Sequence, residues 1–159
     1  MLFGLLDTGE LYSSPDHGLH WSAHSLLPVY DPAGMVACRN RSELMLASRG
    51  GLIHRSMDGG LEWSAVSAVP AADIVDLNSG ADLSLVLLSE GGRIYRSEDA
   101  GTSFKVFRIS VQGRFTSLTM TGGGALFALA REGLVVESGN GGVTWAARTG
   151  LADSGAARV

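Results

Sequence analysis

Short apolar runs and short polar, glycine-rich stretches alternate along the whole chain. Apolar runs fall at 2–6, 10–13 and 19–23, then at 35–39, 44–48, 52–56 and 61–66. They continue at 74–77, 83–89, 93–97 and 103–108, and at 115–119, 125–130, 134–138 and 143–148. Each run is short, rich in Leu, Val, Ile, Phe or Tyr, and bounded by Gly, Asn, Asp or Ser, which predicts strands joined by tight turns. No stretch sustains the 3.6-residue apolar period of an amphipathic helix, so an all-β chain with almost no helix is expected. Residues 26–34, with Pro28, Asp31, Pro32 and Gly34, read as a loop.

One octapeptide recurs four times between these runs. The copies share Ser14, Asp16, Gly18 and Trp21; Ser56, Asp58, Gly60 and Trp63; Ser97, Asp99, Gly101 and Phe104; and Ser138, Asn140, Gly142 and Trp145. The Asp or Asn stands at 16, 58, 99 and 140, a spacing of about 41 residues that signals a repeat architecture. Its side-chain oxygen can accept hydrogen bonds from the backbone N–H groups of its own turn, and Asn140 keeps that acceptor. The glycine suits a backbone with positive φ. The aromatic ring anchors the following strand, burying on the order of 150–250 Å². The repeat is therefore a pinned turn with a hydrophobic anchor, and no group in it is placed to react.

The pattern Ser-x-Asp/Asn-x-Gly-x-x-Trp/Phe resembles the Asp-box, or BNR, repeat of sialidases and photosystem II assembly factor-like propellers. The copies at 97–104 and 138–145 follow it closely, whereas His20 and Glu62 replace its usual Thr or Ser in the other two. The resemblance implies a β-propeller forming a single domain over 1–159, with each box in the hairpin between the third and fourth strands of a blade. Four blades are expected, the first lacking its innermost strand. Residues Ala156-Ala157-Arg158-Val159 fall where that strand would recur, and are expected to complete the first blade. The product is either a four-bladed ring or an eight-bladed ring made from two chains. In such propellers the face opposite the boxes usually binds ligands. Its turns and links place Asp7, Glu10, Tyr30, Arg49, Glu90, Arg131 and Glu132 as candidate binding residues.

Composition narrows the chemistry. The formal net charge is −4, which argues against a dedicated nucleic-acid surface. No apolar run approaches the ~20 residues of a membrane helix, and residues 1–6 lack the positive lead of a signal peptide. A cytoplasmic protein, or part of a particle assembled in the cytoplasm, is expected. The one cysteine, Cys38, leaves no internal disulfide. His17, His20 and His24 lie close together, but no carboxylate is clearly placed to complete a metal site with them, and no metal or cofactor is expected. Sialidases depart from the two-carboxylate scheme by using a tyrosine nucleophile. Here Tyr12 and Tyr95 hold equivalent repeat positions, as do Arg55 and Arg96, and only Tyr30 is free of the repeat. Glu90 and Glu132 occupy turns of successive repeats, as surface charges. No catalytic residue is assigned. The expected function is a non-catalytic propeller module for protein interaction or assembly, with a protein partner or homo-oligomer. The alternatives are a glycan-binding or glycosidase-like propeller and a structural subunit of a larger particle such as a virion.

Overall fold

The computed structural model describes residues 1–29, 31–38, 42–70, 73–80 and 84–148. These form antiparallel sheets, with no helix among the described residues. The first sheet has three strands, β1 (Leu2–Leu5), β2 (Glu10–Ser14) and β3 (Ser22–Leu26). The second has four, β4 (Pro32–Ala37), β5 (Leu44–Ser48), β6 (Leu52–Ser56) and β7 (Ser64–Ala68). The third follows with β8 (Ile74–Ser79), β9 (Leu85–Ser89), β10 (Arg93–Ser97) and β11 (Lys105–Arg108). The fourth comprises β12 (Phe115–Met120), β13 (Leu126–Ala130), β14 (Val135–Ser138) and β15 (Ala146–Arg148). Each sheet is a meander in chain order. The first lacks the innermost strand that the others have, as its sequence predicts.

Strand register fixes equivalent positions. Ser14, Ser56, Ser97 and Ser138 pair with Leu2, Leu44, Leu85 and Leu126. Because side chains alternate across a strand, each middle strand sends its residues to opposite neighbours. Met45, Ala47 and Ile53 of the second sheet pack on Ile74, Leu77, Leu85, Leu87 and Tyr95 of the third, with Phe104 at the margin. Val86, Leu88 and Ile94 of the third pack in turn on Phe115, Leu118, Leu126, Ala128, Val136 and Trp145 of the fourth. The core therefore lies between sheets, and both faces of the middle strands of the second and third sheets are buried. All five residues of β5 and all five of β9 are buried. The innermost strands stand side by side, β4 beside β8 and β8 beside β12, while β1 touches β4. Among the described residues, no strand of the fourth sheet contacts a strand of the first. The expected closing strand at 156–159 lies outside the described residues.

Two boundary expectations need correction. The fourth strand of each repeat starts later than its apolar run, at Ser22, Ser64, Lys105 and Ala146. The box consumes the intervening backbone donors: Leu61 and Glu62 N–H both donate to Asp58 Oδ1 at 3.0 Å and so do not enter the ladder. Residues 32–34, read as loop, belong to β4. Pro32 takes the first strand position, where a missing N–H is tolerated. A register shift between Pro32 and Gly34 accommodates the bend. Gly34 also lets β4 approach β8, since a Cβ there would sit 3.2 Å from Leu77 N.

The boxes repeat atom for atom. In all four, the Ser Oγ accepts the N–H of the shared box glycine (Gly18, Gly60, Gly101, Gly142) at 2.8 Å. In all four it also donates to the Asp or Asn oxygen. The residue before that glycine is always left-handed, with φ of 62° at His17, 80° at Gly59, 55° at Ala100 and 69° at Gly141. Ties to the preceding sheet hold the turns in place. Ser25 Oγ donates to Gly60 O and Ser67 Oγ to Gly101 O, both at 2.5 Å.

Candidate binding face

The box carboxylates are committed to structure. Asp16 is held at about 2, below its ordinary 3.8, first by the His20 N–H, then by the His20 ring and the Ser14 hydroxyl. Asp99 is held at about 2 by the Ser103 hydroxyl and N–H and by Ser97. Asp58 is lowered by the Glu62 N–H and the Ser56 hydroxyl. Asn140 does the same work without charge, accepting the Thr144 N–H at 2.9 Å and donating to Thr144 Oγ1 at 2.8 Å. The neighbouring histidines serve separate partners. His20 Nδ1 lies 2.6 Å from Asp16 Oδ2, while His24 Nε2 lies 2.8 Å from Gly59 O. Cys38 is buried, and desolvation together with the charge of Glu43 pushes its thiol up, away from a reactive thiolate. Burial lowers His54.

The opposite face carries a second repeated device. Register places Asp7, Arg49, Glu90 and Arg131 at one position, just after the second strand of each repeat. The backbone at this position joins successive sheets. Arg49 N–H donates to Asp31 O and Arg49 O accepts from Ile74 N–H. Glu90 N–H donates to Asp73 O and Glu90 O accepts from Phe115 N–H. Arg131 N–H donates to Arg114 O. The side chains at these stapled positions are thus displayed on a rigid frame.

Their charges pair unevenly. Arg49 Nε meets Asp31 Oδ1 at 3.2 Å, with both groups largely exposed. Glu90 Oε1 receives Arg114 at 2.8 Å and Arg131 at 3.1 Å. One carboxylate oxygen therefore holds two guanidiniums from the next sheet. Beside them the link between β11 and β12 walls a shallow cleft of about 460 Å³, lined by Gly91, Arg108, Ile109, Ser110, Val111, Gln112 and Gly113. No Asp or Glu lines it. Arg108, Arg114 and Arg131 are exposed. A chain that is acidic overall therefore presents a local basic patch with one engaged carboxylate.

The predicted site residues fare differently. Glu90 and Arg131 come together. Arg49 turns to Asp31, and Glu10 accepts a hydrogen bond from the Thr8 hydroxyl. Glu132 is exposed and sits one register place beyond Arg131, level with Gly91, so Glu90 and Glu132 share a turn type but not a position. Asp7 is exposed on the first sheet. Tyr30 lies outside the described residues. Sequence reasoning missed Arg114 and Arg108. Arg114 could have been found from the repeat, because it occupies the place of Asp31 and Asp73, and all three are charged.

On the box face a second cleft, of about 310 Å³, separates the third and fourth sheets. Its lining includes Ser79, Arg96, Met120 and the turn glycines 122–124. Arg96 donates to Gly141 O at 3.5 Å and pairs with Glu98 at 3.3 Å.

No protein-family model matches the chain, and no curated protein matches it in sequence. Solved structures do match it in fold. YCF48 bound to D1 peptide superposes with a TM-score of 0.71 at 19% identity, over 91% of this chain and 50% of that one. An ancestral GH74 enzyme gives a TM-score of 0.71 at 16% identity, over 94% of this chain and 22% of that one. YCF48 from Cyanidioschyzon merolae gives 0.63 at 15% identity, over 88% of this chain and 49% of that one. The chain thus spans about half the length of the YCF48 structures it resembles. No helix among the described residues is long and apolar enough to cross a membrane. Both kinds of neighbour are β-propeller proteins, and the likeness gives this chain a propeller-like, all-β fold.

Proposed function

We propose that the protein is a non-catalytic, Asp-box propeller module whose blades bind a protein partner on the face opposite the boxes. The partner's segment is a peptide bearing carboxylates. The observation that carries this reading is a shallow cleft lined by Arg108 and no acidic residue, next in the chain to Glu90, which holds Arg114 and Arg131. Guanidiniums present fork-shaped donors that fit carboxylates, and a rigid frame spares them the entropy of ordering on binding. The fold neighbour solved with a bound D1 peptide supports a peptide ligand. Glu90 already holds Arg114 and Arg131, so an incoming carboxylate competes with it for them.

The test is fluorescence anisotropy with a labelled decapeptide containing Asp and Glu and a free C-terminal carboxylate. Binding should weaken at least tenfold in Arg114→Ala/Arg131→Ala and fall with added salt. An uncharged version of the peptide, with Asn, Gln and an amidated end, should not bind. Equal affinity for both peptides, or for both proteins, would overturn the reading. A second reading is sugar binding, favoured by the fold likeness to GH74 enzymes. A glycan array probed with the purified protein decides it, and a blank array removes it.

A further inference from the structure

Among the described residues, the first and fourth sheets each leave bare an apolar face that is covered at the junctions between sheets. On the first sheet the face carries Leu2, Gly4, Leu6, Tyr12 and Trp21. Register makes Tyr12 the counterpart of Tyr95 and Val136, which are buried against the preceding sheet. Trp21 is 46% exposed, whereas its counterpart Trp145 is 8% exposed. Leu5, Leu6, Gly4, Tyr12 and Trp21 wall an open, almost wholly apolar hollow of about 370 Å³. On the fourth sheet the face carries Phe127, Leu129 and Val135. Leu129 is 42% exposed, whereas its counterpart Leu88 is fully buried against the next sheet.

The three internal junctions show what such faces accept. A Cβ placed on the shared box glycine would meet the equivalent residue of the preceding sheet each time. Gly60 would approach Leu11 Cδ2 at 3.0 Å, Gly101 would approach Ile53 Cγ2 at 3.4 Å, and Gly142 would approach Ile94 Cγ2 at 3.3 Å. Gly18 has only Leu2 and Trp21 of its own sheet nearby, at 3.7 and 3.8 Å. The residue equivalent to Leu11, Ile53 and Ile94 on the fourth sheet is Val135, and no further sheet among the described residues packs on it. Charge agrees. Asp7, Arg49, Glu90 and Arg131 alternate in sign around the face, and Glu90 meets Arg131 at 3.1 Å across one junction. Placing Arg131 beside Asp7 continues that alternation.

We propose that two copies of the chain join head to tail, the fourth sheet of each packing on the first sheet of the other, to close a ring of eight sheets. Val135 then fills the place over Gly18, Leu129 and Phe127 cover Tyr12 and Trp21, and Arg131 faces Asp7. The junction is heterologous, using two different patches, and two copies satisfy both patches on each chain. This inference shares Arg131 with the peptide-binding reading but rests on the bare apolar faces of the end sheets.

Light scattering of the 159-residue chain should give twice the 16.6 kDa of one chain. Leu129→Arg and Tyr12→Arg each place a charge on one patch and should each give monomers with an unchanged far-UV circular dichroism spectrum. Mixed in equal amounts, the two variants should recover a dimer, because one of its two junctions is then wild type on both sides. If either arginine variant loses its β-sheet spectrum, Leu129→Ser and Tyr12→Ser read the same outcome with a milder change. A wild-type mass of one chain overturns the proposal. So does a ladder of larger species, or a dimer that only one of the two substitutions dissociates.

Discussion

Replacing Ser97 by Ala tests the box at the atom on which it turns. The Ser97 hydroxyl accepts the Gly101 N–H at 2.8 Å and the Asp99 N–H at 3.2 Å, and donates to Asp99 Oδ1 at 2.7 Å. The side chain is 1% exposed and Gly101 is buried, so no water replaces the lost acceptor. Leaving a buried donor unsatisfied costs about 1–3 kcal/mol. For a chain of this size each kcal/mol lowers Tm by roughly 2–4 °C, so a drop of about 2–12 °C is expected. Thermal melts followed by far-UV circular dichroism give the number. Urea unfolding should show a lower midpoint at an unchanged slope. Asp99→Asn is the control, since Asn140 makes the equivalent contacts, and it should be milder than Ser97→Ala. A Ser97→Ala protein that melts with the wild type, or an Asp99→Asn protein that melts below Ser97→Ala, would refute the account of the box as a pinned turn.

Other outcomes follow from the same geometry. Trp145→Ala should cost about 3–5 kcal/mol, the range for a buried aromatic. Trp21→Ala should cost about 2 kcal/mol less in dilute monomer, because roughly 40% less of its ring is buried; urea melts of the two variants compare them. The box carboxylates should make stability pH-dependent. Asp16 and Asp99 sit at about 2 when folded and near the ordinary 3.8 when unfolded. Their contribution is therefore present above about pH 4 and is lost as pH falls toward 2, and Asp99→Asn should flatten that part of a Tm-against-pH curve. If residues 156–159 close the first sheet, deleting them should lower stability by leaving the β1 edge unpaired, and a truncated chain that melts like the full one would exclude a closing strand there.

Local physics was legible in the sequence, and long-range geometry was not. Strands 44–48, 52–56 and 93–97 could be read to the residue because their apolar runs end at turn glycines or at the box serine, both local signals. The late start of the fourth strands was hidden, because it depends on Asp58 capturing the Leu61 and Glu62 amides rather than on hydrophobicity. Pro32 and Gly34 read as loop because their composition favours turns, yet one sits at a strand's first position and the other where β8 presses close. The union of Glu90 with Arg114 and Arg131 joins positions 24 and 41 residues apart, which no window along the chain can see. The bare end faces were equally hidden, since Trp21 and Trp145 carry the same motif and differ only in whether a neighbouring sheet lies over them.

The left-handed turn position has a practical consequence. Boxes two and four place glycine there, and the other two place His17 and Ala100, whose side chains crowd the following carbonyl. Trimming a single methyl, Ala100→Gly, removes a steric load that exceeds the extra freedom glycine gives the unfolded chain. A gain of about 0.5–1 kcal/mol is expected. A natural chain retaining such an unrelieved position is one selected for sufficient rather than maximal robustness. The same substitution offers a direct route to a hardier scaffold without touching the face opposite the boxes.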